Sequence, residues 1–253
     1  ILYREAKDLL QQRASLIDRF VNPNQKVLRI GSSTIPTGYI LPFMLSRFRK
    51  DHPGILIQIE EQNSYETIKR ISARKVDAGI VGMKTDDENC EFQPIYQDEF
   101  VFITPNIPYY RALQQTQPDI KRLAQEPLIV RESGSAVKQN MELMLTSANI
   151  ATESLHIITS INNIEVIKRL VAQGAGTSFI SKIAVDDMIK RGELLAFSLE
   201  NVPHRYRDLY LVWNKKITPP SYLREFLDCA RLYKKPVGNQ QPRRERRGLN
   251  PHE

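Results

Sequence analysis

Apolar and polar positions alternate along this chain in two different periods. In residues 1–22, Leu2, Ala6, Leu9, Leu10, Leu16, Ile17 and Phe20 recur at helical spacing, with Arg4, Lys7, Asp8, Arg13 and Arg19 between them. The spacing predicts one amphipathic helix, about 30 Å long at 1.5 Å per residue, broken where Asn22-Pro23-Asn24 follows. Its apolar stripe suits either packing on its own domain or pairing with a partner helix. Past Pro23 the pattern changes to short apolar runs alternating with amphipathic stretches. Strands are expected at 27–31, 55–62, 78–82 and 100–104, with helices at 39–51 and 65–74. The second half repeats the plan, with strands at 128–130, 155–159, 178–181 and 209–213 and helices at 135–147, 164–173 and 221–233. This alternation is the mark of an α/β fold with a largely parallel sheet.

The halves also match in wording. ETIKRISARKVDAGIVG from Glu66 and EVIKRLVAQGAGTSFIS from Glu165 share Glu, Ile, Lys, Arg and Ala at equal offsets, as two similar α/β lobes would. A lobe I built from 24–104 and 206–234 and a lobe II built from 105–205 follow, with crossings near Thr104 and near 202–207. Two crossing strands make a hinge. Each matched helix follows a polar cap, Asn63-Ser64 in one lobe and Asn162-Asn163 in the other.

Composition narrows the function class. Hydrophobic residues at 41% and charged residues at 26% fit a folded globular chain, and no apolar run is long enough for a membrane helix. The start ILYREAKDLL has neither the basic nor the apolar region of an export signal. Cys90 and Cys229 lack partners at metal or redox spacing, so reduced thiols in a cytoplasm are expected. The net charge of +7 is concentrated at one end: residues 234–253 hold six basic and two acidic side chains. The tail from 235 to 253 reads as disordered and basic, and the remainder is too mildly charged for a duplex-binding surface.

The chemistry-bearing segments are two turns. GSSTIPTGY at 31–39 lies between a strand and a helix, where the hydroxyls of Ser32, Ser33 and Thr34 and free backbone N–H groups can converge on an anion. RESGSAVKQ at 131–139 is its counterpart, with Ser133, Gly134 and Ser135 in the turn. A hydroxyl in one such turn is more often a plain helix cap; the pairing at one topological position is what points to a cleft. Thr104 and Thr177 extend the polar set. Catalytic patterns are missing: His52, His156, His204 and His252 are scattered, and no nucleophile elbow, phosphate loop or dinucleotide fingerprint occurs. A binding module is therefore expected and an enzyme is not.

With LRIGSSTIPTGYILPFMLSRFRKDHPGI, VDAGIVG, EFVFITP, EPLIVRESGS, IEVIKRLVAQGAGTSFIS and LYLVW in that order, the chain from its first helix to about Tyr233 resembles the C-terminal portion of LysR-type transcription regulators. The resemblance implies a type 2 periplasmic-binding-protein-like fold, two lobes joined by two crossover strands and preceded by an amphipathic linker helix. It also implies a small-molecule effector, an anion or small acid, bound by Ser32, Ser33, Thr34, Thr104, Ser133, Gly134, Ser135, Asn162 and Thr177. The wording STIPTGYILP is similar to a subgroup associated with sulfur or selenium metabolism, so a sulfur-containing anion is among the candidates. No cofactor and no metal are implied. Self-association as a homodimer or homotetramer is expected. Operator DNA would be bound only through an N-terminal winged helix-turn-helix that these residues do not contain. The alternatives on the same fold are the solute-binding protein of a transporter and an enzyme such as a dehydratase or a pyrrole polymerase, which would need a catalytic acid or a cofactor-anchoring cysteine in the cleft, where neither Cys90 nor Cys229 lies in the two turns.

Overall fold

The computed structural model describes residues 26–232. The linker helix expected over 1–22 and the tail from 235 lie outside the described residues. Strand β1 (Lys26–Ser32) lies between β2 (Ile55–Glu61) and β3 (Ala78–Val81) and is parallel to both. The long β4 (Cys90–Pro105) runs antiparallel to β9 (Tyr206–Asn214), which closes the first sheet against β3. After Glu99, β4 leaves β9 and pairs antiparallel with β7 (Ser178–Ser181) and β8 (Leu194–Ser198). In the second half β5 (Leu128–Arg131) is parallel to β6 (Ile157–Ile161), and Leu128 bridges Thr177 just ahead of β7. The order β6-β5-β7-β4 thus repeats β2-β1-β3-β9.

The sheet is mixed where a largely parallel one was expected. Strands β4 and β9 carry the chain from one lobe to the other and back, and they meet their neighbours antiparallel. The change of partner between Glu99 and Phe100 puts Thr104 opposite Leu195 of β8, inside the second lobe's sheet and beyond the crossing. The first ten residues of β4 escape an apolar-pattern search because they are mostly polar and contain Pro94, which the register shift between Pro94 and Tyr96 accommodates.

The helices are α1 (Thr34–Tyr39), α2 (Leu41–Asp51), α3 (Ser64–Ser72), α4 (Pro108–Gln115), α5 (Ile120–Leu123), α6 (Ala136–Ser147), α7 (Ile164–Ala172), α8 (Asp186–Lys190) and α9 (Ser221–Arg231). A single helix from residue 39 was expected, and two are found, broken at Ile40. Pro36 and Pro42 explain the break. Each is tolerated only in a first turn, where an amide N–H has no intrahelical partner, so two first turns are needed.

The internal repeat is real, but its register differs from the matched wording by one residue. Helix α3 buries Ser64, Thr67, Ile68 and Ile71, while α7 buries Ile164, Ile167, Lys168 and Val171. Asn63 and Asn163 are the N-caps, and the left-handed residues that follow the helices are Arg74 and Gly174. All of these correspond at a spacing of 100, whereas the shared Glu, Ile, Lys and Arg correspond at 99. What repeats is the architecture, and the side-chain identities are those of any amphipathic helix. One consequence is that Lys168 turns inward although its sequence counterpart, Lys69, is exposed.

Each lobe has an aromatic anchor in its core. In lobe I Phe48 of α2 meets Phe226 of α9 edge-on at 5.6 Å, and in lobe II Phe102 of β4 meets Phe179 of β7 at 4.9 Å. Burial of each such ring stabilises its lobe by about 1.5–3 kcal/mol.

Candidate functional site

The first wall of the site grows from the end of β1. Leu28 and Ile30 anchor the strand in the core, and the Ser33 amide donates to the Ile80 carbonyl at 3.0 Å, which sets the chain's exit toward α1. Ser33 occupies the N-cap of α1, yet its side chain makes no capping bond. Its hydroxyl is spared for the gap. Beside it, Thr34 Oγ1 accepts a long bond of 3.4 Å from Arg131 Nη2 on the opposite lobe.

The second wall grows from β5, whose four residues are all buried and end in Arg131, only 4% exposed. Glu132 covers this guanidinium with two bonds, Nε to Oε2 at 2.8 Å and Nη2 to Oε1 at 3.1 Å. Ser135 caps α6 by accepting from the Val137 amide at 3.2 Å, and its own proton remains available. Between the two turns, Gly134 sits at φ +82, and a Cβ there would stand 3.1 Å from Asn63 Nδ2. The lobes touch at this point because glycine leaves the room.

The floor is a buried charge network at the crossing. Arg207 shares the inward face of β9 with Leu209 and Leu211. Its Nε and Nη2 donate to Asp98 Oδ2 at 3.1 and 3.0 Å, and Asp98 Oδ1 accepts from the Ser181 hydroxyl at 2.6 Å. Burial pulls the Arg207 guanidinium below its ordinary pKa against the upward pull of Asp98, and the charge of Arg131 acts in the same direction as burial. The group stays charged, since an arginine starts far above neutrality. Its third nitrogen, Nη1, is buried and has no hydrogen-bond partner among the described residues. Gly82 of lobe I leaves the room for it: a Cβ there would lie 2.9 Å from Nη1 and 3.1 Å from the methyl of Ala136 of lobe II. An unpaired buried donor of this kind costs about 1–3 kcal/mol.

These walls close on a small cavity of about 10 Å³ lined by Ser33, Thr34, Asn63, Arg131, Ser135 and Arg207, among others. A second cavity of about 240 Å³ adjoins it through Ser135, with Tyr65, Met83, Ser133, Gly134 and Lys138 on its sides. A further contact joins the lobes at the far end of α1. The Tyr39 hydroxyl donates to Glu165 Oε1 at 2.9 Å and accepts from Lys168 Nζ at 3.1 Å, and Lys168 also meets Glu165 at 2.9 Å. Burial pulls the Lys168 pKa down, but the bonds to Glu165 and Tyr39 outweigh it and the net shift is upward. The ammonium therefore holds α7 to α1 at neutral pH.

The residues expected from sequence fall into three groups. Ser33, Thr34 and Ser135 line the inner cavity, and Ser133 and Gly134 line the outer one. Ser32, Thr104 and Thr177 are fully buried and donate to backbone carbonyls, of Ile80 or Ser33, Pro105 and Pro127 respectively. Asn162 is exposed, and the capping of α7 falls to Asn163. Arg131, Arg207 and Asp98 were missed. A signal existed for two of them: Arg131 ends a buried apolar run, and in YRDLYLVWN the alternation places Arg207 in phase with Leu209 and Leu211.

The profile of the LysR substrate binding domain matches residues 22–233. Among curated proteins, an uncharacterized HTH-type transcriptional regulator, YeiE of Escherichia coli K12, is 28% identical over 229 residues, covering 90% of this chain and 75% of that protein. Among solved structures, the regulatory domain of Synechocystis PCC6803 CcmR in complex with 2-PG superposes with a TM-score of 0.73 at 21% identity, over 84% of this chain and 99% of that one. The effector-binding domain of QuiR in complex with shikimate gives 0.71 at 18% identity, over 82% and 96%. At such identities the structural likeness establishes the fold, type 2 periplasmic-binding-protein-like.

Proposed function

Because this chain belongs to the LysR substrate-binding domain family, we propose that its gap between lobes takes a small anionic effector, and that occupancy biases DNA binding by an N-terminal winged helix-turn-helix of the whole regulator. One observation carries the reading. Two lobes deliver hydroxyls and guanidiniums to one buried gap, Ser33 and Thr34 from one side and Ser135 and Arg131 from the other, with Arg207 beneath. Charge-assisted bonds to two guanidiniums are the strongest recognition a protein offers an anion without metal. The gap sits at the crossing, so whatever occupies it touches both lobes and the strand between them. Such contacts shift a hinge equilibrium about tenfold for each ~1.4 kcal/mol of difference in affinity between its states.

The relatives favour a sensor over the transporter alternative, because the matching family and the curated YeiE sequence are those of regulators. Neighbours solved with 2-PG and with shikimate support a small molecule as the occupant. Binding and not catalysis is the role proposed. Self-association is part of the reading, supported by exposed apolar side chains on both lobes, Phe43, Leu56 and Ile59 on one and Ile157, Ile158 and Val166 on the other. No helix among the described residues is long and apolar enough to cross a membrane. A cytoplasmic regulator is the location this reading carries.

Thermal denaturation with sulfate, thiosulfate, sulfite, selenite and common small carboxylic acids tests the site. At a hundred times its dissociation constant a bound anion stabilises the fold by about 2.7 kcal/mol. For a domain of this size that is a rise in Tm of roughly 5–10 °C. Ser33→Ala and Ser135→Ala are expected to lose most of that rise. An anion that stabilises wild type and both variants equally binds elsewhere, and the assignment fails.

A further inference from the structure

The inner cavity holds two guanidiniums that differ in how firmly they are engaged. Arg207 is locked: two of its nitrogens are on Asp98 Oδ2, the other Asp98 oxygen accepts from Ser181, and Asp98 and Ser181 are both fully buried. Arg131, 4% exposed, is held by its chain neighbour Glu132, whose side chain is 27% exposed and can swing into solvent when another anion takes its place on the guanidinium. Two positive and two negative groups make the empty cavity neutral. An incoming anion cannot displace Asp98, but it can displace Glu132. Once it does, Arg131 turns from a satisfied group into a donor of parallel N–H bonds, and the cavity gains one net positive charge.

Taking the effector reading as its basis, we infer that the site accepts a compact oxyanion, that this oxyanion satisfies Arg207 Nη1, and that Glu132 is a built-in competitor occupying Arg131 in its place. The size and chemistry of the walls select the class. The closed cavity of about 10 Å³ offers hydroxyls from Ser33, Thr34 and Ser135 beside Ile35, Ala136 and Val137, so the smallest anions need the least parting of the lobes. A tetrahedral or pyramidal anion with three or four oxygens can use these donors, which converge from several directions. Nη1 gives the independent support: a charged side chain buried at the cavity floor has one nitrogen without a partner among the described residues. Gly82 of lobe I and Ala136 of lobe II meet beside this nitrogen, with room for no side chain on Gly82. An oxyanion reaches it when the lobes part and is gripped when they return. The competitor sets the threshold, because the anion must reach a concentration at which it outcompetes a carboxylate tethered at high effective concentration.

Calorimetric titration of the full chain, wild type and Glu132→Gln, with sulfate, thiosulfate, sulfite and selenite decides the matter. The variant removes the competing charge while keeping a side chain of the same shape, whose amide oxygen still accepts from the buried Arg131. The tightest of the four anions is expected to bind Glu132→Gln about tenfold more strongly than wild type, a factor equivalent to ~1.4 kcal/mol. Arg131→Lys, which loses the parallel pair of donors, is expected to bind at least tenfold more weakly. Unchanged or weaker binding by Glu132→Gln overturns the competitor role. If wild type takes a small carboxylic acid in a manner sensitive to Ser33→Ala but none of the four oxyanions, the oxyanion class falls while the effector site stands. If neither protein takes any of these compounds, both fall.

Discussion

Asp98→Ala is expected to lower the free energy of unfolding by about 3–5 kcal/mol, the range for breaking a buried ion pair from one side. The size follows from what the substitution leaves behind. Arg207 is buried, its Nη1 already lacks a hydrogen-bond partner among the described residues, and without Asp98 its remaining nitrogens lose their acceptor as well. The Ser181 hydroxyl loses its acceptor in the same step. Chemical denaturation followed by circular dichroism measures the change. Asp98→Ala combined with Arg207→Leu should recover part of the loss, since an apolar side chain in place of the cation no longer strands a charge. A loss below about 1 kcal/mol for Asp98→Ala would mean that water reaches the crossing and that the network is not buried in solution.

Gly82→Ala has the second large effect, and it acts on stability and binding together. The added methyl would lie 2.9 Å from Arg207 Nη1, 3.1 Å from the Ala136 methyl and 3.2 Å from Arg207 Cζ. The guanidinium is pinned to Asp98 and Ala136 opens α6, so neither neighbour yields as a flexible chain end would. Overpacking of this kind costs about 1–3 kcal/mol. It also wedges the lobes apart at the floor of the cavity and covers the one nitrogen left for an anion. Any oxyanion that binds wild type is expected to lose at least a hundredfold in calorimetric affinity, about 2.7 kcal/mol. Wild-type affinity in Gly82→Ala would remove Arg207 from the site.

The contrast between these residues and the ones legible in sequence is physical. Hydroxyl turns announce themselves, because serine and threonine between a strand and a helix have few roles, and Ser33, Thr34 and Ser135 do meet at the gap. Caps are local too, and Asn63, Ser135 and Asn163 each accept an amide bond two or three residues on. Arg131 and Arg207 are different. A buried arginine depends on partners far along the chain, as Asp98 is for Arg207, and no local pattern names them. The same holds for Thr104 and Thr177, whose hydroxyls sequence alone cannot distinguish from Ser33's, although both are spent on carbonyls. Among elements, the longer amphipathic helices and the apolar strands were readable, whereas the short helices α4, α5 and α8 were not. The polar half of β4 and all of β8 were not, since each is a strand because of what it pairs with. The off-by-one register of the repeat teaches the same lesson: hydrophobic periodicity, and not letter identity, tracks which face of α3 or α7 is buried.

The central claim is that a compact oxyanion sits between the lobes on Ser33, Ser135 and the two guanidiniums. Crystals of this chain equilibrated with selenite test it most directly, because anomalous scattering locates selenium without reference to the protein's own atoms. The account predicts one strong selenium peak within hydrogen-bonding reach of Arg207 Nη1, with Glu132 turned away from Arg131. A selenium peak elsewhere on the surface, or none at all, would contradict it.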